Sequence, residues 1–308
     1  MNKTILITGA NAGIGKETAR QLAMKKETEK IYLACRNLSK AEAAKKELEA
    51  ATGKDFFEIV IMDVSDPYSV QHAVKTITQP VDALIMNAGG TGGKTPEKLT
   101  KDGVTILTAS NLLGHVALVD ELIKANKLKN VALFASSEAA RGIKKMGMLR
   151  PELETSSREE FISVFDGSKF KDNFDAFQIY GWIKYGGTLW MSSMANKYPD
   201  IKFLSVSPGG TRGTQGMDDL SFIKKIFIKH IGMKFIMPLM GMSHSLESGA
   251  KRFVDAIGNP QLKSGKFYAS KKNVLTGPIV DQSAIWKDLD NHLYQKNADE
   301  AIHTFLTS

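Results

Sequence analysis

Six short β-prone runs, "KTILIT", "KIYLAC", "FEIVIMD", "VDALIMNAG", "NVALFASS" and "KFLSVSPGG", are mostly solid apolar stretches rather than alternating ones. A strand wetted on one side alternates apolar with polar residues, whereas a strand covered on both faces does not. Between the runs lie segments of helical periodicity, "GKETARQLAMKK", "LSKAEAAKKELEAA", "SVQHAVKTI" and "VTILTASNLLGHVALVDELIKAN". This alternation predicts an α/β fold: a doubly wound parallel sheet with helices on both faces. A later run, "GKFYAS", is expected as a seventh strand. No repeat, low-complexity tract or linker divides the 308 residues. One domain over residues 1–308 is expected, a size that parallel α/β folds reach as a unit.

Two stretches interrupt the alternation. Residues 138–177 are too long for a plain connection and are expected as an insertion carrying its own helices. Residues 222–242, "FIKKIFIKHIGMKFIMPLMGM", are apolar and basic with no acidic residue. They read as a helical lid over a substrate cleft, and an apolar lid suits an apolar substrate. The other reading is an amphipathic helix in peripheral contact with a membrane surface.

Composition narrows the classes. The single cysteine, Cys35, excludes an internal disulfide and points to a reducing compartment. The first apolar run is too short for a signal-peptide core, and no run approaches the ~18 apolar residues of a membrane span. A cytoplasmic location is therefore expected. The net charge of +8 fits a nucleic-acid binder or an enzyme of anionic ligands. The lysines are spread along the chain without an aromatic-plus-basic module, so no nucleic-acid partner is expected. No metal site is expected.

"TGANAGIG" follows the first run and opens the first helical segment. Gly9 allows a tight turn, Gly13 lets the backbone approach a pyrophosphate, and Gly15 lets helix and strand pack closely. The helix N-terminus then offers free N–H groups and a partial positive charge to phosphate. The second run ends in "ACRN". An acidic residue there would hydrogen-bond a ribose 2′-hydroxyl, but this chain has Arg36, whose planar fork suits a 2′-phosphate. NADP(H) is favoured over NAD(H).

A hydride-transfer site also needs a proton donor beside the carbonyl oxygen and a group to hold the developing charge. Three stretches place a tyrosine four residues before a lysine: "YGWIK", "YPDIK" and "YASKK". Pro199 disfavours helix at Tyr198. Tyr268 lies in a β-like run, where residues four apart are ~13 Å apart. Tyr180 opens a helical segment, so Tyr180 and Lys184 share a face with Cβ atoms ~5–6 Å apart. A lysine charge at ~5 Å and an effective dielectric of ~20 would favour phenolate by roughly 3 kcal/mol, or about two pKa units. "FASSEAA" ends the fifth run with two hydroxyls, Ser136 and Ser137. Asn111 is a polar amide within an apolar helix and needs partners. His115 reads as helix packing.

The spacing Thr-Gly-x-x-x-Gly-x-Gly, with the Tyr-x-x-x-Lys pair, resembles the short-chain dehydrogenase/reductase family. "TGANAGIGKETA", "LACRN" and "NLLGH" resemble its retinol dehydrogenase branch. "SLESGAKRFVDAIGNPQLKSGKFYAS" resembles its protochlorophyllide reductases. The resemblance implies a Rossmann fold and a catalytic set of Asn111, Ser137, Tyr180 and Lys184. Ser137 would hold the substrate oxygen, Asn111 a relay water, and Lys184 a ribose hydroxyl. It implies cofactor contacts from Gly9, Asn11, Gly13, Ile14, Gly15, Arg36 and Asn37. Asp63 and Val64 would meet the adenine, and Asn87, Ala88 and Gly89 would line the channel. Pro208, Gly209 and Thr211 would meet the nicotinamide, although Gly213 stands where the family's threonine is expected. The implied activity is NADP(H)-dependent interconversion of a carbonyl and an alcohol on a small apolar substrate. The alternatives are reduction of a C=C bond and a non-catalytic NADP-binding regulator. Family members often form homodimers or homotetramers through their middle helices.

Overall fold

The computed structural model describes residues 2–212 and 243–306. The lid expected at 222–242 lies outside the described residues. The eight strands are β1 (Thr4–Thr8), β2 (Lys30–Cys35), β3 (Phe57–Ile61), β4 (Val81–Met86), β5 (Leu128–Ala135), β6 (Lys202–Val206), β7 (Lys266–Ser270) and β8 (Ile279–Asp281). They form one sheet in the order β3-β2-β1-β4-β5-β6-β7-β8. The first seven are parallel, and β8 adds antiparallel to β7. The seven parallel strands include every run singled out in the sequence. β8, only three residues long, gives too short a pattern to be seen there.

The helices are α1 (Gly13–Ala23), α2 (Leu38–Thr52), α3 (Pro67–Thr76), α4 (Ile106–Lys124), α5 (Arg158–Phe165), α6 (Ala176–Lys197), α7 (Leu246–Gly258) and α8 (His292–His303). Alternate strand residues feed two cores. Leu6, Tyr32, Leu84, Ala132 and Phe203 pack with α3, α4, α6 and α8. Ile5, Ile7, Leu33, Ile85 and Leu204 pack with α1, α2 and α7. Burial on both faces is why the runs are solid rather than alternating.

α4 contains a π-turn over Ala109–Leu113. By length and composition it could cross a membrane, yet 72% of its apolar window is buried inside the fold. Its apolar character is that of a helix covered by protein. Gly114 in α4 is needed because a Cβ there would stand 1.6 Å from the Val64 carbonyl oxygen.

α6 begins at Ala176, one turn earlier than the segment read from Tyr180. Asp175 sets the start by accepting hydrogen bonds from the Phe177 and Gln178 N–H groups. Residues 138–177 contain α5 and several short 3₁₀ turns.

α8 was not foreseen. It covers the outer side of α6: Ser193 Oγ donates to Asp299 Oδ2 at 2.7 Å, and Lys197 forms an ion pair with the same buried carboxylate. Self-association through this side of α6 would have to use α8 or displace it. His303 then bridges α8 to α4, with Nε2 3.0 Å from Asp120 and Nδ1 2.7 Å from the Asp299 carbonyl. Burial alone would lower its pKa, but the Asp120 and Asp299 carboxylates overcome this and hold it up at about 10. A raised base stabilises the fold fully below its ordinary value of 6.5, and this contribution is lost as pH rises through about 10. Urea unfolding of the wild type and His303→Gln is the test. The stability difference is expected to be on the order of 1–2 kcal/mol near pH 6 and to shrink toward pH ~10. A difference that does not change with pH would contradict this bridge.

Candidate active site

The crevice opens at the carboxyl ends of β1 and β4, where the strand order reverses. β1 ends in Thr8. Gly9 follows in the left-handed region, φ 65°, with its N–H donating to the Ala34 carbonyl at 2.9 Å. Gly13, φ 53°, starts α1. A Cβ on Gly15 would stand 2.4 Å from the Gly9 oxygen and 2.5 Å from Asn87 Nδ2. No side chain caps α1, so its first-turn amides stay open to an anion. Asn11 and Ile14 flank this loop, and Ile14 also packs on the core. Cys35 lies beneath it with hydrogen bonds from the Ala10 and Asn11 backbone; burial pushes its thiol up to about 11, so it stays neutral.

Asn87 donates from Nδ2 to the Thr8 carbonyl at 3.0 Å, and the Ala88 N–H donates to Thr8 Oγ1 at 2.9 Å. That hydroxyl is also hydrogen-bonded to His115 Nε2, 3.1 Å away. His115 is buried, and burial with the Lys184 charge pushes its pKa down to about 3. A neutral histidine joining α4 to β1 agrees with the packing role read from the sequence.

At the other end of the crevice, Arg36 follows β2 with its side chain 75% exposed and its Nη1 3.6 Å from Asp63 Oδ2. Asp63 Oδ1 accepts from the Ser65 N–H at 2.9 Å and its hydroxyl at 2.6 Å. The Asn37 side chain is committed to capping α2, accepting from the Lys40 N–H at 2.9 Å. Val64 contributes its carbonyl to the close contact with Gly114.

The four residues of the expected catalytic set converge. Lys184 Nζ lies 5.4 Å from the Tyr180 ring centroid and 4.7 Å from that of Phe134, and it donates to the Ala135 carbonyl at 2.9 Å. A Cβ on Gly89 would touch both Asn111 Oδ1, at 2.5 Å, and Lys184 Nζ, at 3.7 Å. The Asn111 side chain accepts from the Gly90 N–H at 3.1 Å and donates to the Gly90 and Leu107 carbonyls at 2.7 and 2.9 Å. It thus fastens the loop after β4 to the π-turn. Ser136 is buried and bonded to Thr188 Oγ1 at 2.9 Å. Ser137 is the half-buried serine, and it interacts with Tyr180. The competing pairs lie elsewhere. Tyr198 ends α6, and the Tyr268 hydroxyl accepts from the Lys263 N–H at 2.8 Å.

The electrostatics differ from the two-unit lowering expected for the phenol. Burial pushes Tyr180 up to about 12; hydrogen bonding from Ser137 works against this and the Glu138 charge adds to it. The same burial pushes Lys184 down to about 7. The desolvation that should strengthen the pair also disfavours the charged form of both members.

Gly209, φ 79°, and Pro208 form the turn after β6. Thr211 Oγ1 donates within this turn, 3.1 Å from the Pro208 carbonyl and 3.2 Å from that of Gly209. Gly213 and Thr214 lie outside the described residues. Behind the turn are groups that sequence reasoning missed: Glu138, Arg252, Ser207 and Ser270, all buried. The one available signal was Arg252, a charge on the apolar face of α7 between Gly249 and Phe253.

A family model described as short chain dehydrogenase matches residues 3–146. Bovine (Bos taurus) dehydrogenase/reductase SDR family member 12 is 30% identical over 209 residues, which are 67% of this chain and 60% of that protein. Human (Homo sapiens) retinol dehydrogenase 11 is 37% identical over 133 residues, 42% of this chain and 40% of that protein. The chain thus spans less than two thirds of these relatives. L-sorbose reductase from Gluconobacter frateurii, solved with NADPH and L-sorbose, shares the fold. Its TM-score is 0.64 at 18% identity, covering 89% of this chain and 96% of that one. With the reversed strand order, the side-chain-free cradle and these likenesses together, the chain belongs to the short-chain dehydrogenase/reductase family and resembles its retinol dehydrogenase branch.

Proposed function

We propose that this protein is an NADP(H)-dependent oxidoreductase interconverting a carbonyl and an alcohol on a small apolar substrate. The observation that carries the reading is the meeting of Tyr180, Lys184 and Ser137 at the crevice headed by the glycine cradle. The residues fit the dinucleotide. The cradle leaves no room for a Cβ at Gly15, the α1 amides are uncapped, and Arg36 is a loosely held cation beyond β2. Gly9, Asn11, Gly13, Ile14 and Gly15 would hold the pyrophosphate, and Arg36 the 2′-phosphate, with the Asn37 backbone beside it. Asp63 and Val64 would border the adenine, and Asn87, Ala88 and Gly89 the channel. Pro208, Gly209 and Thr211 would border the nicotinamide. Bound there, the dinucleotide supplies or accepts the hydride.

The rest falls to side chains of this chain. Ser137 donates a hydrogen bond to the substrate oxygen and holds it beside the phenol. Tyr180 Oη gives its proton to that oxygen on reduction and takes it back on oxidation. A phenol held near 12 is protonated at neutral pH, so the free site is set as an acid. Lys184, when charged, stabilises the phenolate that remains after the proton leaves. Asn111, already fixed to Gly90, is placed to hold a relay water. Met- and Phe-rich residues 222–242 support an apolar substrate by composition.

Tyr180→Phe is expected to lower turnover of NADPH with aldehydes or ketones by ~10²–10⁴, while NADPH binding, read by fluorescence, stays within a few-fold. Unchanged turnover would remove Tyr180 from the chemistry. Tight NADPH binding without turnover on any carbonyl would favour a regulator, and a saturated C–C product would favour C=C reduction. Arg36→Glu is expected to weaken NADPH binding ~10-fold or more and to leave NADH within a few-fold. Equal losses for both nucleotides would dismiss a 2′-phosphate contact.

A further inference from the structure

Glu138 directly follows Ser137, and its side chain turns inward instead of toward the crevice. Its Oε1 accepts from the Ser270 N–H at 3.2 Å and the Ser270 hydroxyl at 2.9 Å, and its Oε2 accepts from the Ser207 hydroxyl. Arg252, reaching from α7, lies 3.4 Å from Oε1. Arg252 also donates to the Ser207 carbonyl at 3.1 Å, Ser270 Oγ at 2.8 Å and the Gly277 carbonyl at 2.7 Å. The exposures of Glu138, Arg252, Ser207 and Ser270 are 3%, 7%, 0% and 0%. One carboxylate therefore fastens the Ser137 turn to the ends of β6 and β7. The guanidinium beneath leaves no space for a side chain at Gly209, where a Cβ would stand 2.6 Å from Nη1.

A buried ion pair of this kind is a poor device for stability alone, because desolvation offsets much of the attraction. Its placement beside Ser137 and Tyr180 suggests a different use. We infer that Glu138 and Arg252 are a positioning pair for the active site: they hold Ser137 in place and balance the charge that Tyr180 experiences. This rests on the proposed role of Tyr180 only for its kinetic consequence, not for the electrostatic one.

The charged and titratable groups around the pair are few among the described residues. Glu138 faces Arg252 from α7, Arg141 on its own turn, His244 beside the Pro208 turn, and Tyr180 from α6. Tyr180 faces Ser137, Glu138 and Lys184. His244 is held below its ordinary value, chiefly by burial, and so is neutral in the working range. The Glu138 carboxylate raises the phenol's pKa, and a guanidinium beside that carboxylate works in the opposite sense. Removing Arg252 leaves Glu138 with only Arg141 beside it, and removing Glu138 leaves the guanidinium groups without their carboxylate.

The test uses signs. Glu138→Gln keeps the shape and leaves the guanidinium charge, so Tyr180 should ionise at lower pH. Arg252→Gln leaves the carboxylate, so Tyr180 should ionise at higher pH. Each shift should be on the order of half a pH unit, as for one nearby charge at high effective dielectric. The double variant should return toward the wild type. Arg252→Lys and Glu138→Asp keep the charges and, as controls, should leave the midpoint in place; Arg252→Met and Glu138→Leu, which also remove the charge, serve if a Gln variant does not fold.

Two readouts are made on the full chain. One is the pH profile of kcat/KM for alcohol oxidation with NADP⁺. The other is fluorine NMR of protein labelled with a difluorotyrosine, whose phenol titrates in a range the fold tolerates; Tyr180→Phe assigns the resonance. Opposite shifts that cancel in the double variant establish the pair. Shifts of the same sign, or none, overturn it, because a merely structural pair would act alike from both ends. Opposite NMR shifts without any turnover would leave this inference standing and defeat the proposed activity. Turnover that needs Tyr180 but ignores both variants would do the reverse.

Discussion

The crevice depends on a contact that admits no side chain. α1 can leave the end of β1 only by passing within van der Waals distance of Gly9 and Asn87, so position 15 must lack a Cβ. The Asn87 amide holds the ends of β1 and β4 at the right separation. Thr8 Oγ1 accepts from the Ala88 N–H and is hydrogen-bonded to His115, and His115 lies one turn beyond Asn111 on α4. Asn111 in turn holds Gly90. The cradle, the loop after β4 and the π-turn of α4 are therefore one hydrogen-bonded unit. A shift at any member would misplace both the phosphate end and the proton-transfer end.

Burial does two opposite things at α6. Gly186 and Gly187 let the helix sit down on Phe165 and Phe134, which brings Lys184 and Tyr180 to the crevice wall. The same seating removes water and disfavours charge on both groups. A pairwise estimate from spacing alone treats the lysine as a fixed charge and so predicts a lowered phenol. In the free protein burial disfavours the charge on the lysine itself. An anionic ligand in the crevice would restore its charge. The phenol is then influenced by the lysine mainly when the site is filled.

Most of the sheet was legible because its signal is local. A strand buried on both faces is apolar along its buried length, and most of the parallel strands are; the edge strand β3, with Glu58 and an exposed Ile61, is the exception. The cradle was legible because glycine is required there on steric grounds, and Tyr180 could be separated from Tyr198 and Tyr268 by the elements that carry them. What escaped detection was long-range. α8 has few apolar residues, and its role appears only once Asp299 meets Ser193 and Lys197. Glu138 meets Arg252, 114 residues away, and no periodicity reports such a pair. Asn37, an expected ligand contact, also caps the start of α2 with its side-chain oxygen. Residues beside a site are hard to divide by sequence into those that touch a ligand and those that hold the scaffold.

The division of the chain carries the last step. The family match ends at residue 146, and that part contains the cradle, Arg36, Asn111 and Ser137. Tyr180, Lys184, the Pro208–Gly209 turn, Arg252 and Ser270 all lie beyond it. The first part holds what any dinucleotide demands: a close backbone, open amides and a switch in strand order. The second part brings a helix, a turn and two strand ends against Ser137 from the far side. Glu138 is one residue of the first part through which the second reaches the site, beside Ser136 bonded to Thr188 and the Ala135 carbonyl bonded to Lys184. The contacts across residue 146 therefore make the placement of Ser137 depend on the ends of β6 and β7 and on α7 as well as on the cradle.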